Sequence, residues 1–90
     1  MVNVIVFMGV LGEVDSNENK IRYAHVIQDF KDSQGKFEDL DVPLINWTKS
    51  SKGGIFSYDK GNIYLFKGRL DKLNNQLVIL IEESSYLGKE

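Results

Sequence analysis

Hydrophobic and polar positions alternate along most of the chain, as they do in strands that bury one face of a sheet. The clearest strands lie at 60–70 and 76–81, two runs rich in β-branched and aromatic residues that flank the polar link 71–75. This arrangement predicts a β-hairpin. Gly68 lies inside the first of these strands, where glycine typically marks a bulge or bend. We therefore expect a sheet that curls into a barrel.

Three further strands are predicted before the hairpin. The alternation places them at 2–11, 21–30 and 37–47, with polar turn residues between them. The segment 48–59 is rich in serine, glycine and lysine, and its two adjacent glycines each lower helix stability by about 1 kcal/mol relative to alanine. It is predicted to be a loop or a helix of at most two turns. Five strands with a short helix or loop between the third and fourth describe an all-β, five-stranded OB-fold Greek-key barrel, with residues 1–90 as its single domain.

The returning strand at 76–81 is apolar at almost every position, which predicts that both of its faces are covered. The barrel core would cover one face and a partner subunit the other. Leu77, Ile79 and Ile81, together with Val4 or Val6, are the residues expected at such a contact. The sequence thus predicts a homo-oligomer, either a dimer or a tetramer.

Composition excludes several classes of site. The chain has no cysteine, and His25 is its only histidine, so disulfides and thiolate metal sites are excluded and a histidine metal centre is not expected. Without a cysteine nucleophile, a histidine pair or a recognised catalytic motif, we expect no enzymatic activity and no cofactor. No apolar run approaches the roughly 20 residues that span a bilayer, and the N-terminus lacks signal-peptide features. We expect a cytoplasmic protein that does not bind membranes.

Charge is distributed unevenly along the chain. The net charge is -2, but residues 49–72 contain six basic side chains against two acidic ones. Residues 1–48 contain four basic against eight acidic side chains. A basic segment of this kind either forms a local anion site or is simply a solvated charged surface, and the charge count alone favours the second alternative.

Two segments resemble the first and fourth strands of bacterial-type single-stranded DNA-binding proteins. They are residues 2–12, VNVIVFMGVLG, and residues 60–70, KGNIYLFKGRL. The segment 46–49, NWTK, falls where that family ends its third strand. The resemblance covers nearly the whole chain and implies a short, divergent member of this OB-fold family. The link between the last two strands is much shorter than in the family, and the family's acidic C-terminal tail is absent from this sequence.

The resemblance implies binding of single-stranded DNA or RNA, largely independent of sequence, in replication or recombination, with a replication protein as a further partner. By position, Phe30 and Trp47 correspond to base-stacking aromatics of the family. Aromatic and basic side chains are the groups that bind single strands. The predicted binding residues are Phe30, Lys31, Lys36, Trp47, Lys49, Lys52, Phe56, Tyr58 and Arg69. For Phe56 and Tyr58, packing in the core is an equal alternative.

A second function is compatible with the same fold. The chain would then be a protein-interaction module, similar to a primosomal protein or a mobile-element accessory protein, with weak or no affinity for nucleic acid. The short link between the last strands and the acidic net charge favour this alternative.

Overall fold

The computed structural model describes residues 3–26 and 40–90, and within them five strands close into a barrel. The strands are β1 (Ile5–Val14), β2 (Arg22–Val26), β3 (Leu40–Asn46), β4 (Asn62–Leu73) and β5 (Gln76–Lys89), with a one-turn 3-10 helix (Gly54–Phe56) between β3 and β4. Their order around the barrel is β1-β2-β3-β5-β4. Neighbouring strands are antiparallel except β3 and β5, which are parallel. This is the predicted OB-fold barrel, with the predicted short helical segment between β3 and β4.

Gly68 allows β4 and β5 to come close at the bend of the barrel. The ladder between these strands shifts register between Lys67 and Gly68, so the predicted irregularity is confirmed. A Cβ atom on Gly68 would overlap the carbonyl oxygen of Leu80 and lie 2.9 Å from the carbonyl carbon of the same residue. Only glycine therefore permits this approach of two backbones.

The turn of the hairpin is shorter than the sequence predicted. β4 runs to Leu73 and β5 starts at Gln76, so the turn consists of Asn74 and Asn75 rather than residues 71–75. Both asparagines have positive φ, 51° and 65°. Two consecutive left-handed residues form the type I′ turn, whose twist matches that of the flanking strands, and asparagine tolerates this conformation.

The other strand bounds differ from the prediction by one to three residues, except that β5 continues to Lys89, eight residues beyond the predicted end at 81. β1 runs from 5 to 14 instead of 2 to 11, because its pairing with β2 continues to Val14. The predicted parts of the second and third strands at 27–30 and 37–39 lie outside the described residues.

The barrel core is built from inward-facing side chains of all five strands and from Ile55 of the 3-10 helix. Phe66 is fully buried at its centre, with the ring of Phe7 at 5.3 Å and that of Tyr64 at 5.5 Å between centroids. The buried residues of this cluster are Leu11, Ala24, Leu44, Ile55, Tyr64, Phe66, Ile79 and Ile81.

A second buried cluster covers the other face of β5. It consists of Ile21, Ile45, Val78 and Leu80, with Tyr23 and Leu73 packed against it. The chain itself thus covers Val78 and Leu80, and no partner subunit is needed to bury them.

The structure also corrects the predicted subunit contact. Ile79 and Ile81 are buried in the barrel core, so the prediction that they contact another subunit is wrong. Leu77, Val4 and Val6 are exposed. No helix in the described part of the chain is long and apolar enough to cross a membrane.

Candidate nucleic-acid interface

Trp47 stands at the surface where β3 ends and is 69% exposed. Two grooves lie beside it. The larger, of about 320 Å³, is lined by Trp47, Arg69, Leu80, Glu82 and Glu83. The smaller, of about 200 Å³, lies between the end of β3, the 3-10 helix and β5. Trp47 lines both grooves, so a ligand in either groove can contact it.

Asn46 holds the loop that follows Trp47. Its side chain is buried, and its Nδ2 donates hydrogen bonds to the carbonyl oxygens of Ser50 (3.1 Å) and Gly53 (3.0 Å). Its Oδ1 accepts a hydrogen bond of 3.0 Å from the backbone N–H of Ile55. The amide replaces backbone partners that an irregular segment lacks, and it therefore orders the loop that carries Lys49 and Lys52.

Arg22 connects β2 to the end of the same segment. Its guanidinium is buried and donates hydrogen bonds to the carbonyl oxygens of Gly12 (2.9 Å), Ile55 (2.7 Å) and Tyr58 (2.6 Å). Burial lowers the pKa of Arg22 from its ordinary value. Arg22 and Asn46 were not among the predicted site residues. The partners of Arg22 are carbonyls 10 to 36 residues away in the chain, and those of Asn46 are backbone groups of an irregular loop, so no sequence pattern signals either role.

Phe56 and Tyr58 pack against the barrel core. The ring of Tyr58 stacks on that of Tyr64 with 4.4 Å between centroids, and its hydroxyl shares a 2.7 Å hydrogen bond with Ser84 Oγ. Both side chains thus pack partly buried against the core, and Tyr58 also lines the smaller groove. Their role in binding stays a prediction. Tyr86, which is not among the predicted binding residues, contacts the ring of Tyr64 edge-on with 5.6 Å between centroids and is 56% exposed.

Three of the six basic side chains between residues 49 and 72 form ion pairs with carboxylates. Arg69 Nη2 lies 3.1 Å from Glu82 Oε2, Lys49 Nζ lies 3.5 Å from Asp71 Oδ2, and Lys60 pairs with Glu13. The backbone N–H of Lys72, and after it the charge of Lys49, lower the pKa of Asp71. The hydrogen bond and charge of Lys60 lower the pKa of Glu13. The positive charge of this segment is thus partly neutralised.

The structure brings only some of the predicted residues together. Trp47 and Arg69 share the larger groove, and Asp71 lies within the electrostatic range of both Lys49 and Arg69. Lys52 is exposed in the ordered loop and has no ion pair in the described ranges. Phe30, Lys31 and Lys36 lie outside the described residues.

No group of three or more histidine, aspartate or glutamate side chains that could hold a metal ion occurs among residues 3–26 and 40–90. The ring of His25 lies 3.2 Å from a carboxylate oxygen of Asp41. No protein-family model matches this chain, and none of the curated proteins searched matches it.

Proposed function

We propose that this protein binds single-stranded DNA or RNA at the surface around Trp47, largely independent of sequence, in replication or recombination. The observation that carries the proposal is the exposed indole of Trp47 beside an open groove that also contains Arg69. Large aromatic rings are usually buried in a core or an interface, so a tryptophan exposed to this extent is a candidate contact for a ligand. OB-folds commonly bind oligonucleotides on the face formed by their second and third strands, and Trp47 follows the last residue of β3.

Stacking of a base on Trp47 supplies the sequence-independent part of the binding energy. Such stacking is worth about 1–3 kcal/mol per base, and every base has a face that can stack. The larger groove leaves room beside the indole, and Leu80 provides an apolar contact at its base.

Lys49, Lys52 and Arg69 are the candidate phosphate ligands. Lys49 and Arg69 must exchange their carboxylate partners for phosphate, which costs little because exposed ion pairs are worth about 0–1 kcal/mol. Glu82 and Glu83 repel phosphates, so the nucleic-acid backbone is expected on the side of the lysines. Two or three phosphate contacts predict a slope of about −1.4 to −2.1 in log K against log salt.

Replacing Trp47 tests the proposal directly. Trp47→Ala is expected to weaken binding of a labelled mixed-sequence oligonucleotide by the value of one stacked base, about 1–3 kcal/mol or roughly 5- to 150-fold. Trp47→Phe should retain most of the affinity, because a smaller aromatic face still stacks. Fluorescence anisotropy at low and high salt measures both. If Trp47→Ala and the unmodified protein bind the oligonucleotide with equal affinity, Trp47 is not part of the binding site.

The homo-oligomer remains a proposal, and of the predicted contact residues its surface keeps Val4 and Val6 but not the buried Ile79 and Ile81. Val6 is 57% exposed, and Met8 lies opposite Leu65 across the ladder of β1 and β4, so these apolar side chains share one outer face with Val4. Exposed apolar patches of this kind mark interaction sites. Val6→Asp is expected to shift the mass in light scattering toward the monomer, while Val14→Asp, an exposed valine at the other end of β1, leaves it unchanged. A monomeric mass for the unmodified protein at micromolar concentration would contradict the proposal.

One observation favours a protein-interaction module as the second candidate function. Carboxylates neutralise half of the basic side chains in residues 49–72, and both grooves beside Trp47 are lined by Glu82 and Glu83. A variant that has lost its affinity for oligonucleotides and still retains a protein partner would favour this function.

A further inference from the structure

β3 and β5 run side by side for only a short distance. Residues 44–46 of β3 pair with residues 79–81 of β5, and β3 then ends while the chain turns away at Trp47. β5 continues to Lys89 and remains paired with β4 on its other side. In the described part of the chain, residues 82–89 therefore have no strand on the side that β3 leaves. We call this side the β5 edge.

An open edge presents backbone N–H and C=O groups that an additional strand can pair with. Proteins commonly protect such edges with lysine, proline or a covering segment. The β5 edge lacks proline, carries two glutamates at its start and has one lysine, Lys89, at its last position. Beside it lies the smaller groove, whose far wall is formed by Trp47 and by Tyr58, which is held in place by its hydrogen bond to Ser84. The space that β3 leaves is therefore open and has ordered walls.

We propose that the β5 edge binds an extended peptide with basic side chains, which pairs with β5 as an added strand in the space that β3 leaves. Added strands of this kind obtain affinity from main-chain hydrogen bonds and specificity from alternate side chains. The proposal does not rest on nucleic-acid binding, since its main contacts are with the backbone of β5 and with carboxylates.

The charges along the edge favour a basic peptide over other occupants. Glu82 has Arg69 as its ion-pair partner, whereas Glu83 lies opposite Lys67 in the ladder and has no ion pair or side-chain hydrogen bond with another described residue. A lysine or arginine of the peptide can pair with Glu83. A basic side chain can also lie on the exposed face of Trp47, where a cation–π contact is favourable.

Charge also argues against the two other occupants. Phosphates of a nucleic acid would be repelled by Glu82 and Glu83. A second copy of this chain would bring the same pair of glutamates to the contact. Basic peptides thus have the complementary charge that both alternatives lack.

The test uses labelled, end-blocked hexapeptides in anisotropy titrations with the full chain. A peptide of alternating lysine and valine is expected to bind at least tenfold more tightly than one of alternating glutamate and valine. Two further lysine–valine peptides carry N-methyl groups, one on the three valines and the other on the three lysines. Because alternate N–H groups point to opposite sides of a strand, one N-methylated peptide should bind at least tenfold more weakly than the other.

Variants of the protein locate the site. Glu83→Lys is expected to weaken binding of the lysine–valine peptide at least fivefold, whereas Glu90→Lys, the same change just beyond the end of β5, leaves it within twofold. Equal binding of the two N-methylated peptides would mean attraction by charge alone and would overturn the proposal. Failure of the lysine–valine peptide to bind would also overturn it. A dimer in light scattering that dissociates in the Glu83→Lys variant would mean that a second copy of the chain occupies the edge, and would overturn it too. An oligonucleotide titration of the same samples reports the proposed nucleic-acid function separately.

Discussion

Replacing Gly68 by alanine is a direct test of how the barrel closes. A Cβ atom at this position would overlap the Leu80 carbonyl oxygen, and it would lie 2.9 Å from the Leu80 carbonyl carbon and 3.2 Å from the Cα of Ile81. All three atoms belong to the backbone of β5, so no side-chain rotation can relieve the contact. β4 and β5 must separate locally for the methyl group to fit.

The structure indicates the size of the effect. Overpacking a well-packed site costs about 1–3 kcal/mol. Separation of the strands also weakens the ladder around the pairs of Gly68 with Ile81 and of Arg69 with Leu80, and each lost backbone hydrogen bond costs about 1 kcal/mol. We expect Gly68→Ala to lower the free energy of unfolding by about 3–4 kcal/mol. For a domain of this size, each kcal/mol lowers the melting temperature by roughly 4–8 °C, so a fall of at least about 12 °C should result.

Two other strand glycines make a graded control series. At Gly12 the nearest atom to an added Cβ, the carbonyl oxygen of Tyr23, would lie at 3.4 Å, an ordinary contact. At Gly9 the carbonyl oxygen of His25 would lie at 3.2 Å, which is tight. Thermal and urea unfolding are followed by far-ultraviolet circular dichroism. Gly12→Ala is expected to be the most stable of the three variants, Gly9→Ala intermediate and Gly68→Ala the least stable. The free energy of unfolding of Gly12→Ala should lie within about 1 kcal/mol of that of the unmodified protein. A melting temperature of Gly68→Ala within about 4 °C of that of Gly12→Ala would refute the close approach of β4 and β5.

Two further predictions concern side chains that order loops. Asn46→Ala removes the hydrogen bond from the Ile55 N–H and those to two loop carbonyls. We therefore expect the free energy of unfolding to fall by about 2–4 kcal/mol. Limited proteolysis should also cleave the loop at 48–55 faster. Asp15 accepts hydrogen bonds from the Tyr23 hydroxyl and from backbone N–H groups, and these lower its pKa. Its contribution to stability is therefore present above the pKa of an unfolded aspartate, about 3.9, and is lost as the pH falls through the lower folded value.

Each of these predictions has a matched comparison. Asn19→Ala, a change at an exposed asparagine, should leave both unfolding and proteolysis unaltered. Stability of Asp15→Asn should fall less between pH 5 and pH 2 than that of the unmodified protein, whereas Asp59→Asn at an exposed position should follow the unmodified profile. Identical acid profiles for Asp15→Asn and the unmodified protein would show that Asp15 does not couple folding to pH.

The sequence by itself determined the class of fold and the order of its elements. Strand alternation has a period of two residues, which any half-buried sheet imposes, so five strands and the loop at 48–59 were visible without coordinates. Gly68 indicated the bend for a local reason, since glycine inside a strand often marks a bulge, a bend or a close backbone approach. The hairpin turn is shorter than predicted, because residues 71–73 belong to β4 and only Asn74 and Asn75 adopt the left-handed turn conformation.

Only the tertiary structure decided which side chains are available at the surface. The sequence leaves open whether Tyr58 stacks on a base or packs in the core, and the structure shows its ring packed on that of Tyr64 and also lining the smaller groove. The basic segment appeared unpaired in sequence, but the hairpin brings Glu82 to Arg69. Burial of Asn46 and the open β5 edge likewise depend on where β3 leaves β5. These features arise from contacts between residues distant in the chain, and local periodicity carries no information about such contacts.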